Sequence, residues 1–255
     1  MDHLERVRQE FGRQADAFAA SAAITDERLT TRLVEAMGAI GKGVVLDLAC
    51  GPGIVTAALA RTARAVVAFD LTPEMLAKAR QRCAQAGLGN VTFTEGSATD
   101  LPFAAGAFDG VVTRLAIHHF KEPRRVMDQV FRVLAPGGTL VVADVVSSEN
   151  AQASALQNAI EVLRDPSHVR MLPISELVTL VEAASFAIEA QETWDKPREF
   201  EEWLGIVNDP ERAAPLRTVV RALAEAGKDA GMGLSLADGR VVFFHRWHLI
   251  SARKP

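Results

Sequence analysis

Asp47, Asp70 and the pair His118-His119 are the residues whose types and spacing could do chemistry in this chain. Asp47 opens Asp47-Leu48-Ala49-Cys50-Gly51-Pro52-Gly53, a glycine-bearing loop between an apolar run and an alanine-rich stretch. Glycines let a backbone approach a ligand closely, and a helix start leaves N–H groups unpaired. A dinucleotide loop would read G-x-G-x-x-G and seat a pyrophosphate on that helix end. Here Thr56 stands at the third position, and the Asp47 carboxylate would repel a pyrophosphate but pair with a cationic amine. The motif points away from a nicotinamide dinucleotide and towards a ligand with an ammonium group, a plain tight turn being the alternative. Asp70 ends the next apolar run, where a carboxylate can accept both hydroxyls of a ribose. Two charge-assisted hydrogen bonds of about 1.5–3 kcal/mol each would make it an affinity anchor. Its alternative role is to cap the helix that starts at Thr72-Pro73. Together the two acids imply an adenosine nucleoside with an amino-acid tail. His118-His119 follow a later run, where an open sheet binds its ligand. An imidazole there could orient a substrate or take a proton near neutral pH. His118 is the first candidate for that base, and a packed or solvated ring is the competing reading of both.

These residues need a scaffold, and the chain alternates between short β-branched runs and longer helical stretches. Runs at 44–48, 65–70, 91–94, 110–115 and 139–144 are continuous rather than alternating. That pattern marks strands covered on both faces, as in a parallel sheet. Helices are predicted over 54–64, over 73–86 with Thr72 as cap and Pro73 at the first position, and over 123–134 before Pro136-Gly137-Gly138. Strand–helix alternation of this kind predicts a doubly wound α/β fold. Residues 1–40 read as an amphipathic helical cap ahead of a domain over 41–255. Beyond Asp144, strands near 188–194 and 240–252 interleave with helical stretches, one capped by Ser175, and insertions near 148–172 and 197–232 could form a lid.

The motifs resemble those of class I S-adenosylmethionine-dependent methyltransferases, in the methyltransferase type 11 group related to the ubiquinone/menaquinone-biosynthesis C-methyltransferases. Val45-Leu46-Asp47-Leu48-Ala49-Cys50-Gly51-Pro52-Gly53 is similar to their first motif and Phe69-Asp70-Leu71-Thr72-Pro73-Glu74-Met75-Leu76 to their second. Leu101-Pro102-Phe103, then residues 108–114, resemble the next two, and residues 134–140 the turn before the fifth strand. The likeness runs from about residue 40 to 147; residues 11–15, 164–170 and His245-Arg246-Trp247 are similar to segments common in the group outside that core. It implies a Rossmann-like, mostly parallel seven-stranded sheet with helices on both faces. It also implies S-adenosyl-L-methionine as cofactor, S-adenosyl-L-homocysteine as product and a small-molecule acceptor. Carried over residue by residue, Asp47 and the backbone of Ala49, Gly51 and Gly53 would hold the methionine part of the cofactor. Asp70 would take the ribose hydroxyls, with Leu71 beside the adenine. Ser97-Ala98 match the place where the family has an acid for the adenine amino group and then a small residue. Ser97 brings no charge there, and Asp100 is the neighbouring acid that could compensate. Arg114 and Leu115 would line the methionine side, and the position of His118 tends to face the transferred methyl. The alternatives are a protein using the same cofactor for other chemistry or for regulation, and a nicotinamide oxidoreductase.

Composition narrows the classes further. In 255 residues, 49% hydrophobic and 24% charged content exclude a disordered chain. A net charge of −4 and the lack of a basic, aromatic-interleaved stretch speak against a nucleic-acid partner. Two cysteines, Cys50 and Cys83, leave no disulfide framework or cysteine-based zinc site, and no metal is expected. Cys50 reads as packing. The absence of tyrosine excludes a tyrosine acid or base. No apolar run reaches about 18 residues and the charged N-terminus does not read as a signal peptide, so a cytoplasmic protein without a membrane span is expected. His3 reads as a solvated terminal residue and His168 as a loop residue facing substrate or surface. His245 and His248 read as pointing to opposite faces of one strand, and the three tryptophans as core or lid packing. Alanine, leucine and valine in residues 1–30, 148–172 and 197–232 predict a fairly apolar acceptor, quinone-like or a natural product. A homodimer stays open.

Overall fold

The computed structural model describes residues 1–21, 25–38, 43–207 and 209–255. Its strands are β1 (Val44–Leu48), β2 (Ala65–Asp70), β3 (Val91–Glu95), β4 (Phe108–Arg114), β5 (Leu134–Val146), β6 (Ala187–Glu199), β7 (Ser235–Ala237) and β8 (Arg240–Arg253). The first five pair in parallel in the order β3-β2-β1-β4-β5. β8 adds antiparallel to β5, and β6 antiparallel to β8. Among the described residues the sheet therefore has eight strands where seven were expected: seven along the main path, and β7 off it beside β8. β7 folds back on β8 through Asp238-Gly239, which take φ of 50° and 75°. Two consecutive positive φ values match the twist of a two-residue hairpin, and Asp-Gly supplies them.

The helices are α1 (His3–Ala20), α2 (Glu27–Met37), α3 (Ile54–Leu59), α4 (Pro73–Gln85), α5 (Pro123–Val133), α6 (Ala151–Arg164), α7 (Ile174–Ala183), α8 (Phe200–Gly205) and α9 (Pro210–Glu225). Alternate residues of the central strands feed two separate apolar layers. Leu46, Val111, Leu140 and Val142 pack with Val126, Val130 and Val133 of α5 and Leu177 of α7. Val45, Val112, Val141 and Ala143 pack with Leu29, Leu33 and Met37 of α2 and Val55 and Leu59 of α3. Double coverage is why these runs carry no polar alternation, and burying each side chain contributes about 1.5–3 kcal/mol. A third cluster joins Phe200, Trp203, Leu216 and Val220 of α8 and α9 to Ile160 of α6 and Phe243 of β8.

Several boundaries differ from expectation. α3 ends at Leu59 rather than Arg64, and β6 and β8 run longer than predicted. Pro173, not Ser175, occupies the N-cap position of α7, with no side-chain cap bond; the Ser175 hydroxyl donates instead to Glu149 at 2.7 Å. The expected boundary between residues 40 and 41 lies outside the described residues. No described helix is long and apolar enough to cross a membrane.

Candidate active site

The strand order reverses between β1 and β4, so their C-terminal ends open a crevice where open sheets bind ligands. A cavity of about 390 Å³ lies there. Ala49 directly after β1 and Leu115 directly after β4 hold φ of 56° and 54°, and both line it. A left-handed residue that is not glycine costs of order 1–3 kcal/mol and collects at sites where backbone must be aimed. Gly51 lines the cavity as well, at φ 52°. Gly53 does not: it sits behind the loop at φ 75°, where a Cβ would lie 2.7 Å from the Cα and Cβ of Ala79 in α4. Gly53→Ala is therefore expected to destabilise the fold by about 2–5 kcal/mol, through the backbone conformation and the clash together. Chemical denaturation measures it, and an unchanged midpoint would refute that packing role.

Asp47 is buried on the cavity wall, and the Thr56 hydroxyl donates to its Oδ2 at 2.5 Å. Thr56 stands where a dinucleotide loop would carry its third glycine, and here it holds the acid. Burial pushes the Asp47 carboxyl up to about 6, against the pull of Thr56 and the nearby Arg114 guanidinium. Burial likewise lowers Arg114 to about 10, opposed by Asp47, which leaves it charged at neutral pH. Asp70 accepts the Gly51 N–H at Oδ2 (2.8 Å) and the Thr72 N–H at Oδ1 (2.9 Å). Burial raises its carboxyl and these backbone donors oppose the rise. Thr72 occupies the cap position of α4 but its side chain makes no cap bond. Asp70 thus steadies the helix start and faces the cavity at once.

Leu71, Ser97, Ala98 and Arg114 also line the cavity. Gly96, beside Ser97, was not foreseen; a Cβ there would lie 2.6 Å from the Phe69 ring. The Ser97 hydroxyl pairs with that of Thr99 at 2.8 Å. Asp100 is exposed and off the wall, so it does not supply the charge that Ser97 lacks. Cys50 is buried and its thiol is pushed well above its ordinary range by burial, then by Asp70 and Asp47, which suits packing rather than nucleophilic chemistry.

The roof was not legible as such: Leu4, Val7, Phe11 and Phe18 of α1 cover the cavity. His3 is not a solvated end residue, since its Nε2 lies 2.7 Å from the His119 carbonyl oxygen and it lines the cavity. Glu10 and Arg13 of α1 pair with each other, Glu10 accepts both guanidinium nitrogens of Arg212 in α9 at 3.0 Å, and Arg13 reaches Asp209 at 2.9 Å.

His118 lines a second, smaller chamber of about 70 Å³ rather than the large cavity. The two share Phe11, Phe18, Leu115 and His119. His118 Nδ1 lies 2.6 Å from Asp144 Oδ1 near the end of β5, and Asp144 also accepts the backbone N–H of Ile117 at 2.7 Å. Asp144 had no role in the sequence reading, although an acid closing a strand beside the switch point was a usable signal. Burial would lower His118, but the charge and hydrogen bond of Asp144 outweigh it and hold the imidazolium above the usual histidine range. With Nδ1 engaged by the carboxylate, Nε2 is the nitrogen left to exchange a proton. His119 donates from Nδ1 to the Ser167 carbonyl at 3.1 Å; burial and the neighbouring His118 push it down to about 3, so it is neutral. His168 is buried rather than at the surface, lines the chamber, and pairs its Nε2 with Asn158 Oδ1 at 2.8 Å. Burial and then His118 lower it to about 4.

His245 and His248 point apart, as their spacing requires. His245 lines the chamber between Arg198 and Glu161, whereas His248 bonds Thr193 at 2.7 Å and Gln191 at 3.1 Å. Among the described residues no group of His, Cys, Asp and Glu is arranged to hold a metal ion. Trp203 and Trp247 are on the chamber wall, and Trp194 stacks on Trp247 with centroids 5.9 Å apart. The segments expected to face an acceptor do contribute to the chamber, through polar residues such as Glu161, Arg164 and His168 and through the apolar Phe11, Phe18, Met171, Trp203 and Ile206. Other apolar members such as Ile160, Leu204, Leu216 and Val220 turn away into the third cluster.

A methyltransferase-domain family model matches residues 46–142, which run from β1 into β5. The crystal structure of a proposed methyltransferase from Bacillus halodurans superposes with a TM-score of 0.83 at 32% identity, covering 89% of this chain and 98% of that one. The chain belongs to the class I S-adenosylmethionine-dependent methyltransferases. This methyltransferase is also 36% identical over 159 residues to the uncharacterized protein YafE of Escherichia coli K12, covering 62% of this chain and 77% of that protein. It is 42% identical over 100 residues to demethylmenaquinone methyltransferase of Clavibacter sepedonicus, covering 39% of this chain and 40% of that enzyme. The match thus spans less than half of either.

Proposed function

We propose that the methyltransferase holds S-adenosylmethionine in the larger cavity and a small organic acceptor in the adjoining chamber, with His118 as general base. The observation that carries this reading is the shared wall: His118, held from behind by Asp144, faces one chamber, the Asp47 and Asp70 carboxylates the other, and His119 and Leu115 stand between. The cavity fits a zwitterionic nucleoside. A buried carboxylate pushed up to about 6 is one that a cationic amine would stabilise, and Arg114 beside it supplies the opposite charge. Asp47 pairs with the ammonium, Asp70 accepts from the ribose hydroxyls, and Leu71, Ser97 and Ala98 flank the adenine. When bound, the cofactor supplies a sulfonium methyl already activated for displacement. The protein's task is then alignment in a dry site, for which proximity alone contributes about 7–11 kcal/mol. α1 excludes water from above, acting as a lid with the insertion that carries α8 and α9. His118 takes the acceptor's proton at Nε2, and Asp144 orients the ring and stabilises the imidazolium.

Calorimetric titration tests the cofactor assignment. Micromolar binding of S-adenosylmethionine and S-adenosylhomocysteine is expected, with none of NADH; the reverse order would overturn it. The base assignment has a pH signature of definite sign. His118 must be unprotonated to accept a proton, and its folded value lies above the ordinary 6.5. Log kcat/KM should therefore climb with pH through a value above 6.5 and level off beyond it. An acid limb centred well below that value would remove His118 from the role.

A further inference from the structure

Three buried ring or amide nitrogens on the small chamber make no hydrogen bond among the described residues; His245 Nε2 has Glu161 at 3.3 Å as an ion-pair partner, and the other two have neither. Gln14 of α1 and Trp247 of β8 are 1% and 3% exposed, and both line it. Gln14 Nε2 and Trp247 Nε1 have no hydrogen-bond partner among the described residues. Buried donors are nearly always paired, because leaving one unmade forfeits its hydration without return. Two unpaired N–H groups on one chamber of about 70 Å³ call for a ligand oxygen.

The charges around them say which kind of oxygen. Each cation on the wall already faces a carboxylate: Arg164 with Glu161 at 3.5 Å, Lys196 with Asp26 at 2.8 Å, Arg198 with Glu202 at 2.8 Å and His118 with Asp144 at 2.6 Å. Neutral N–H donors among paired ions suit a carbonyl oxygen better than a carboxylate, whose charge would find no counter-ion. The aromatic surfaces of Phe11, Phe18, Trp203 and Trp247 complete the wall and favour a planar molecule.

We infer that Gln14 and Trp247 form an oxygen-binding subsite for a neutral carbonyl group conjugated with the acceptor's nucleophilic hydroxyl, as in an ortho-acyl phenol or an enolised β-dicarbonyl. This inference rests on the small chamber being the acceptor site. His118 Nε2 takes the hydroxyl proton as the O–H bond breaks, and the electron pair stays on the acceptor. Conjugation spreads that charge onto the carbonyl oxygen, where the amide and indole N–H groups receive it. Donors placed where negative charge develops bring the hydroxyl's acidity within reach of an imidazole. Both are positioning residues, since neither exchanges a proton.

The test uses the full chain with ortho-hydroxyacetophenone, phenol and salicylate as probes, with and without S-adenosylhomocysteine. The indole N–H resonance of Trp247, assigned from its loss in Trp247→Phe, should shift downfield and saturate with ortho-hydroxyacetophenone. Trp247→Phe and Gln14→Met, which keep ring and length, should each weaken calorimetric binding of that probe about fivefold, the worth of one neutral hydrogen bond. Phenol, which lacks the carbonyl, should bind both variants and the parent alike. An unmoved indole resonance, equal affinity of parent and variants for ortho-hydroxyacetophenone, or tighter binding of salicylate would each overturn the inference. Binding of S-adenosylhomocysteine, read in the same calorimeter, fails only if the cofactor assignment fails, and the indole shift decides the chamber in either case.

Discussion

His118→Ala is expected to lower turnover by about 10²–10⁴-fold, the usual contribution of a positioned general base. Affinity for S-adenosylhomocysteine should stay nearly unchanged, because His118 is absent from the wall of the large cavity. The split matters: a ring that merely packed would, on removal, loosen the shared wall at His119 and weaken both ligands. Asp144→Asn provides the companion result. Without the carboxylate, burial is opposed only by the weaker pull of Glu161 and Asp165, and the ring's pKa falls below its value in the parent. The acid limb of the kcat/KM profile should then move to lower pH while maximal turnover drops, since the ring also loses the partner that fixes its tautomer. Steady-state kinetics across pH decide it; normal turnover in His118→Ala would remove the base from this site.

The second large effect is on the cofactor. Asp70→Ala should weaken S-adenosylmethionine binding by about 10²–10⁴-fold, the sum of two charge-assisted hydrogen bonds. The same carboxylate holds the N–H groups of Gly51 and Thr72, so its loss also frees the loop that walls the cavity. Asp70→Asn keeps one acceptor oxygen and should fall between the two. Turnover at saturating cofactor should suffer far less than affinity, because Asp70 lies away from the His118–Asp144 pair. Calorimetry on the three proteins reads the order directly, and an unchanged dissociation constant in Asp70→Ala would contradict the ribose assignment.

What could be read from the sequence was local. The central strands announced themselves because both faces are buried, and the glycine loop, Asp47 and Asp70 lie within short motifs at strand ends. The Asp238-Gly239 turn between β7 and β8 carries a signal of the same local kind. The chamber could not be read this way, since it assembles from distant segments. His118 meets Asp144 from the neighbouring strand β5, His119 meets Ser167 across 48 residues, and His3 reaches back over 116 to the His119 carbonyl. Gln14 lies in the segment 11–15 that resembles the group, but its place on the chamber wall follows only from how α1 crosses the sheet. The mixed lining of the chamber, ionic and aromatic side chains together, was out of reach for a related reason: a helix shows a site only one face, and composition averages over all of them.

The helix α1 walls both cavities and is clasped to α9 by Glu10–Arg212 and Arg13–Asp209. A wall common to two ligands makes them thermodynamic neighbours even where they never touch. On the proposed reading, with α1 as a lid, whichever arrives first bears the free-energy cost of seating that helix, and the other then binds to a site already closed. Donor and acceptor should accordingly strengthen one another's binding by the same factor, as reciprocity requires. Departure then carries the mirror-image burden: with α1 as the lid, the clasp parts before either product leaves, and salt that screens those ion pairs is expected to act on release rather than on chemistry.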